Sequence, residues 1–191
     1  MFITQVQLDT NNHLIYKKLT SLDAYHTFVE DAFPAERLLK IRKRHLWRLD
    51  GTKLLIISED KPDITGLSQF GQVQTKNYSS FLENLSLNRT YKFRLVANPL
   101  NTSIKNRRIP CHGNKERYEW LEKQADRFGF KIIDANVTNY KENHIRKYNF
   151  TVKTVDFEGL LQITNLEKFK QALTGGIGHQ KAYGCGMLTV M

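Results

Sequence analysis

The sequence predicts an α+β fold made of two βαββαβ modules in tandem. A strand, a helix and further strands follow one another in the first half of the chain, and the same order begins again after a polar stretch at 84–88. The 191 residues also suffice for two small domains. A βαββαβ module is a ferredoxin-like (RRM-like) domain. The predicted domains are residues 1–86 and 87–191.

The first module is predicted from a strand, a helix and a hairpin. Residues 2–8 alternate between apolar and polar side chains, which is typical of a half-buried strand. A helix is expected to begin at Thr20 or Ser21, because apolar residues then recur at spacings of three and four. This apolar stripe consists of Leu22, Tyr25, Val29 and Phe33. Asp50-Gly51 is typical of a hairpin turn, and the strands expected after it are 53–58 and 73–78.

The second module begins with a strand at 90–97, where apolar and polar residues alternate without interruption. A helix is predicted over 114–128, and Gly129 is its expected C-terminal cap. Asn165 is expected to cap a second, shorter helix. The remaining predicted strands are 130–137, 147–155, 157–164 and 187–190.

Composition excludes several classes of protein. With 40% hydrophobic and 25% charged residues, the chain is neither collagen-like, nor wholly disordered, nor a disulfide-stabilised miniprotein. The longest aliphatic run, residues 54–57, is far shorter than the roughly 20 residues that a membrane helix needs. The first ten residues do not resemble a signal peptide. Because Cys111 and Cys185 are the only cysteines, we expect a reduced, cytoplasmic protein.

The charge predicts a polyanionic partner. Lysine and arginine exceed aspartate and glutamate by ten, and such a field attracts nucleic acid. A ribosomal, phospholipid or acidic protein partner would suit the same charge. The basic run 37–48 is also compatible with a solvated face, the usual explanation of such runs. The residues that we predict to contact the nucleic acid lie in a loop, beside a hairpin and near the C-terminus: Lys105, Arg107, Arg108, Arg146, Lys147 and Lys181.

The most specific local motif is the glycine-rich segment 175–187, GGIGHQKAYGCGM. Two glycine pairs frame five residues that include Lys181. The spacing excludes a dinucleotide-binding fingerprint, and too few residues follow for the rest of a βαβ unit. A tight helix-to-strand turn is the alternative to a phosphate-binding loop. The candidate residues of this loop are Gly176, Gly178, Gly184 and Gly186.

Together with four other segments, this motif resembles a known family. Residues 93–99, FRLVANP, resemble that family's FRLRANP strand, with Val96 where Arg is usual. The other matching segments are 108–110 (RIP), 120–121 (WL) and 157–161 (FEGLL). On these residues the chain resembles CasE, the CRISPR RNA endonuclease family of the type I-E Cascade complex, over essentially its whole length.

The resemblance implies a metal-independent endoribonuclease without a cofactor. Its expected partners are the repeat hairpin of precursor CRISPR RNA, the mature crRNA and the other Cascade subunits, with no membrane partner. A zinc site from Cys111, His112, His179 and Cys185 has no support from spacing.

The resemblance also implies a catalytic histidine in the first helix, and His26 matches it by position. An imidazole suits attack by a ribose 2′-OH, which needs one proton removed and one delivered near neutral pH. Members of the family often carry Tyr three residues earlier, where this chain has Asp23. Tyr25, directly before His26, is the candidate catalytic partner, and the alternative is that it packs inward, because adjacent residues of a helix point about 100° apart. A catalytically silent RNA-binding module and a basic protein-binding scaffold remain alternatives.

Overall fold

The computed structural model describes residues 1–41, 43–102, 107–145 and 148–191, which form two compact units. Unit 1 comprises Met1–Glu83 and Ala182–Gly184, and unit 2 comprises Asn84–Lys181 and Cys185–Met191. Each unit contains a four-stranded antiparallel sheet. Among the described residues, no helix has both the length and the apolar character needed to cross a bilayer.

The sheet of unit 1 has the strand order β2-β3-β1-β4. Its strands are β1 (Phe2–Leu8), β2 (Leu46–Asp50), β3 (Lys53–Ser58) and β4 (Gly71–Asn77). In the central strand β1, Val6 lies opposite Leu54 on one side and Val73 on the other. The alternation in residues 2–8 therefore places Val6 and Leu8 in the core, as the period of two predicts.

Among the described residues of unit 1, five α-helices accompany these strands. They are α1 (His13–Lys18), α2 (Leu22–Asp31), α3 (Pro34–Leu38), α4 (Ile64–Ser68) and α5 (Ser79–Glu83). Helix α2 begins where the Ser21 hydroxyl accepts a hydrogen bond from the Ala24 amide, 3.3 Å away. Tyr25 and Val29 pack from α2 into a core that includes Trp47 and Ile56.

The sheet of unit 2 has the order β10-β5-β9-β8. Its strands are β5 (Thr90–Ala97), β8 (Phe130–Ile145), β9 (Phe150–Ile163) and β10 (Leu188–Val190), and a separate ribbon pairs β6 (Leu100–Thr102) with β7 (Arg108–Pro110). The separate strands predicted at 147–155 and 157–164 are wrong, because β9 runs through both. Strand β8 likewise continues eight residues beyond its predicted end at Val137.

In the part of unit 2 that the structure describes, two α-helices accompany this sheet, α6 (Gly113–Phe128) and α7 (Leu166–Gly175). Helix α6 ends at Gly129 in a left-handed conformation with φ 70°, as predicted. The Asn165 side chain accepts a hydrogen bond from the Lys168 amide at the start of α7. In both sheets the first strand lies between the third and the fourth, and the third lies beside the second. The predicted pair of ferredoxin-like domains is confirmed.

Candidate active site

His26 lies in the second turn of α2, with a side chain that is 28% exposed. Its Nδ1 is 3.9 Å from Oε1 of Glu30, one helical turn further along. The ring of Tyr183 is also near, with its centroid 6.3 Å from that of His26 and a 54° angle between the planes. A titratable ring therefore has both a carboxylate and a phenol as neighbours, a set of groups suited to proton transfer.

Tyr25 is buried next to His26 in sequence. Its ring stacks on Trp47 with centroids 5.9 Å apart, and burial raises the pKa of its hydroxyl. Consecutive helical residues point about 100° apart, so that the helix buries Tyr25 while His26 keeps contact with solvent. The predicted catalytic role of Tyr25 stays a prediction, and its burial favours a role in anchoring α2.

Sequence reasoning missed Tyr183. It lies in the 3₁₀ turn Lys181–Tyr183, directly before Gly184, which has a φ of 76°. A Cβ at Gly184 would lie 2.9 Å from the indole of Trp47, so the backbone approaches that ring as only glycine permits. A sequence signal for Tyr183 existed, since this tyrosine stands between the two glycine pairs of the segment 175–187. The prediction for that segment concerned only its glycines and Lys181.

A cluster of charged groups around the buried His45 shares Glu30 with His26. His45 precedes β2, and its two ring nitrogens lie 3.1 Å from Oε1 of Glu30 and 3.1 Å from Oε1 of Glu36. Burial by itself lowers the pKa of His45, but hydrogen bonding and charge from the two carboxylates outweigh it and raise that pKa. We therefore assign His45 as an imidazolium that donates to both carboxylates.

The glycine-rich segment packs closely against the backbone of unit 2. The Ile177 amide donates to the Gly186 carbonyl at 2.8 Å, and the Gly186 amide donates to the Val96 carbonyl at 2.7 Å. Gly186 has a φ of 87°, and a Cβ there would lie 2.4 Å from the Ile177 oxygen. The other predicted loop residues, Gly176 and Gly178, also have positive φ. These glycines meet a conformational requirement of the chain itself, and binding of a phosphate by this loop stays a prediction.

Three basic residues lie around His179 in unit 2. Burial lowers the pKa of His179, and the positive charges of Arg108, Lys181 and Arg127 lower it further. Arg108 and Arg127 are exposed, whereas Lys181 is half-buried and donates from Nζ to the Gly178 carbonyl at 2.6 Å. Predicted Arg108 and Lys181 thus both act electrostatically on His179, and so does Arg127, whose position on a helix gave no sequence signal.

The other predicted RNA contacts are less defined. Arg107 is exposed, and Lys105, Arg146 and Lys147 lie outside the described residues. Four other cations of the basic segments pair with carboxylates: Arg37 with Asp31, Lys43 with Asp60, Arg48 with Asp50, and Lys153 with Glu142. Much of the basic run 37–48 therefore has a local structural explanation.

Comparisons with known proteins agree with this fold. A sequence model of the family described as "CRISPR associated protein" matches residues 1–191. The chain is 25% identical over 211 residues to the CRISPR-associated endoribonuclease Cse3 of Thermus thermophilus, covering 100% of this chain and 99% of that protein. It is 27% identical over 112 residues to the Cascade subunit CasE of Escherichia coli, covering 51% and 56% of the two chains.

Among solved structures, Thermus thermophilus Cse3 bound to an RNA representing a pre-cleavage complex superimposes with a TM-score of 0.87 and 24% identity, covering 100% of this chain and 98% of that one. This likeness is one of fold. Together with the family match over every residue, it confirms the resemblance drawn from the five sequence motifs. The chain belongs to the family of CRISPR-associated proteins and is similar to the endoribonuclease Cse3 and to the Cascade subunit CasE.

Proposed function

We propose that this protein is a metal-independent endoribonuclease that binds the repeat stem-loop of precursor CRISPR RNA and cleaves at the 3′ base of the stem. The observation that carries the proposal is a half-exposed His26 beside Glu30 and Tyr183. It occurs in a chain that aligns along its whole length with a relative named as a CRISPR endoribonuclease. The proposed domain limits are 1–86 and 87–191.

The chemistry that we propose is attack of a ribose 2′-oxygen on the adjacent phosphate. The 2′-OH loses a proton as its oxygen bonds to phosphorus, and the 5′-oxygen gains a proton as its bond to phosphorus breaks. The products are a 2′,3′-cyclic phosphate and a 5′-OH. His26 serves one of these two transfers, which typically contributes about 10²–10⁴-fold in rate. Tyr183 is near enough to orient the same phosphate.

RNA binding is proposed to rest on phosphate contacts. Three positive charges lower the pKa of His179, those of Arg108, Lys181 and Arg127. Arg107, the neighbour of Arg108 in the sequence, is exposed. An A-form stem is recognised mainly through its shape and backbone, whereas unpaired bases supply sequence readout. Contacts by Lys105, Arg146 and Lys147 remain predictions from the sequence.

The protein is further proposed to keep its product and to act as a Cascade subunit. A relative that covers half of the chain is named as the Cascade subunit CasE. Its working compartment is inferred to be the cytoplasm, since Cys111 and Cys185 are present as buried thiols.

The proposal is tested by single-turnover cleavage of a cognate repeat RNA in EDTA. We expect cleavage by the wild-type protein, a loss of at least about 100-fold with His26→Ala, and no product when the cleaved nucleotide lacks its 2′-OH. Cleavage by His26→Ala at the wild-type rate would overturn the mechanism. Tight binding of an intact RNA by the wild-type protein would instead favour the silent RNA-binding module, an alternative supported by the burial of Tyr25.

A further inference from the structure

A buried histidine that the proposed cleavage does not use lies two contacts away from the one that it does. The His45 side chain is 1% exposed, and its ring stacks on Phe33 with centroids 3.7 Å apart and planes 7° apart. Both ring nitrogens face carboxylates, so that a charge which would be costly when buried alone is fully hydrogen-bonded. The position of this ring is thus fixed by packing and by two polar contacts.

Glu30 joins this cluster to His26. Its Oε1 atom lies 3.1 Å from Nδ1 of His45 and 3.9 Å from Nδ1 of His26. The second distance is that of an ion pair rather than a hydrogen bond. The residues therefore form a continuous series of ionisable groups in the order Glu36, His45, Glu30, His26. Glu36 belongs to α3, His45 directly precedes β2, and the last two residues belong to α2.

We propose that Glu30, held in place by His45, is the positioning residue of His26. The inference rests on the function proposed above. Because the Glu30 carboxylate faces Nδ1 of His26, it orients the ring and stabilises its protonated form, so that Nε2 is the nitrogen that exchanges a proton with RNA. An orienting partner on the other ring nitrogen is the usual arrangement of a working histidine.

The buried His45 is needed because a solvent-exposed glutamate by itself would hold the His26 ring only weakly. A pair of exposed charges on one helix contributes less than about 1 kcal/mol, since both side chains must be ordered. Glu30 is 35% exposed, and its contact with the buried His45 ring selects the conformation in which it faces His26. The His45 charge also offsets part of the Glu30 carboxylate charge that acts on His26.

Several charged and titratable groups of the described residues lie around the pair. His26 contacts Glu30 from its own helix and Tyr183 from the 3₁₀ turn, while His45 contacts Glu30 and Glu36. The Lys43 amide donates to Glu36 Oε2 at 3.2 Å, and its ammonium pairs with Glu59 and Asp60. Removal of Glu30 and removal of His45 should therefore shift the titration of His26 in opposite directions.

The test is the pH dependence of single-turnover cleavage by Glu30→Gln, followed across about pH 5 to 9, which brackets the ordinary pKa of histidine. We expect the part of the pH–rate profile that follows the titration of His26 to move to lower pH, because the Glu30 carboxylate that favours the imidazolium form is gone. We also expect cleavage at neutral pH to slow about fivefold. Asp31→Asn is the matched control, since it removes the same charge one residue later, from a carboxylate that pairs with Arg37.

His45→Gln supplies the opposite shift. This variant removes the cation that also contacts Glu30, so the whole carboxylate charge acts on His26. The part of the pH–rate profile that follows His26 should therefore move to higher pH. NMR titration of the His26 ring in the RNA-free protein gives the same comparison without any cleavage, and circular dichroism establishes that each variant is folded. If His45→Gln does not fold, the pair Glu30→Gln and Asp31→Asn still decides the matter.

The outcomes separate this inference from the proposed function. An inactive His26→Ala combined with identical profiles for Glu30→Gln and Asp31→Asn overturns the role of Glu30 and leaves the endoribonuclease proposal intact. A fully active His26→Ala overturns the endoribonuclease mechanism. The ring titration in the free protein then still shows whether Glu30 acts on His26, and an unchanged titration in Glu30→Gln rejects that contact.

Discussion

Tyr183 lies beside His26, with 6.3 Å between ring centroids, although one residue is near each end of the sequence. The contact brings a phenol to the histidine that the family resemblance indicated. Both residues belong to the same compact unit. Their proximity implies that the segment 182–184 contributes directly to the candidate active site.

Tyr183→Phe tests this contribution. The variant keeps the ring and removes the hydroxyl, so we expect slower cleavage, by about tenfold, the free-energy equivalent of one hydrogen bond to a charged group. RNA affinity should stay close to that of the wild-type protein. Single-turnover rates and a binding titration measure the two quantities. A wild-type cleavage rate would leave Tyr183 with a packing role only.

Tyr25→Phe tests the other tyrosine. Because Tyr25 is buried against Trp47, we expect the phenylalanine variant to keep its packing and to cleave at close to the wild-type rate. Tyr25→Ala should lower the free energy of unfolding by about 3–5 kcal/mol, as other large aromatic truncations in cores do. Urea denaturation and cleavage kinetics give both values. A large loss of activity in a stable Tyr25→Phe protein would restore the predicted catalytic role.

Gly184→Ala is expected to destabilise the protein. Its φ of 76° disfavours any side chain, and the new methyl group would meet the Trp47 ring at 2.9 Å. The expected cost is about 1–3 kcal/mol in the free energy of unfolding. Gly175→Ala is the control, since it introduces a methyl group into open space at the end of α7. Equal denaturation midpoints for the two variants would contradict the argument.

Arg108→Ala should weaken RNA binding and its salt dependence together. Removal of one phosphate contact lowers the slope of log affinity against log salt by about 1. Lys170→Ala removes a positive charge of the same unit that pairs with Glu167, and it should change neither quantity. Binding titrations at several salt concentrations provide the slopes. An unchanged slope in Arg108→Ala would exclude a phosphate contact at that residue.

Stability should depend on pH through His45. The folded protein raises the pKa of His45 above the ordinary value, so the stabilisation that this residue contributes is complete at pH values below the ordinary pKa of 6.5. It is lost as pH rises through the higher pKa of the folded state. Urea denaturation above and below this range should show a decline in stability with rising pH that His45→Gln lacks. Parallel pH profiles in the two proteins would contradict this linkage.

The sequence was most informative where the structure is locally determined. Alternation in residues 90–97 predicted β5, and Gly129 marked the end of α6, since both features depend on neighbours in the chain. The strand β9 was wrongly divided at Asp156, because a carboxylate inside an apolar strand resembles a turn. In the fold, Arg94 and Asn139 donate hydrogen bonds to Asp156, at 3.0 and 3.2 Å, and the strand continues.

Short helices and the environment of the active site depended on contacts that no local pattern contains. Asn12 and Asp63 cap helices α1 and α4, because their side chains accept hydrogen bonds from following amides within stretches that look like loops. His26 was predicted through a family resemblance. Glu30 could be placed beside His26 from the helical spacing of four residues alone. Tyr183 could not, because its contact with His26 depends on how a distant segment folds back.

The assignment of Ala182–Gly184 to the first unit has a consequence for biosynthesis. As the chain emerges from the ribosome, α2 is exposed long before the residues that complete its surroundings are translated. A nascent or prematurely terminated product therefore carries the imidazole without its phenol neighbour. Cleavage that uses both rings therefore requires the segment 182–184 to have been translated and folded onto unit 1.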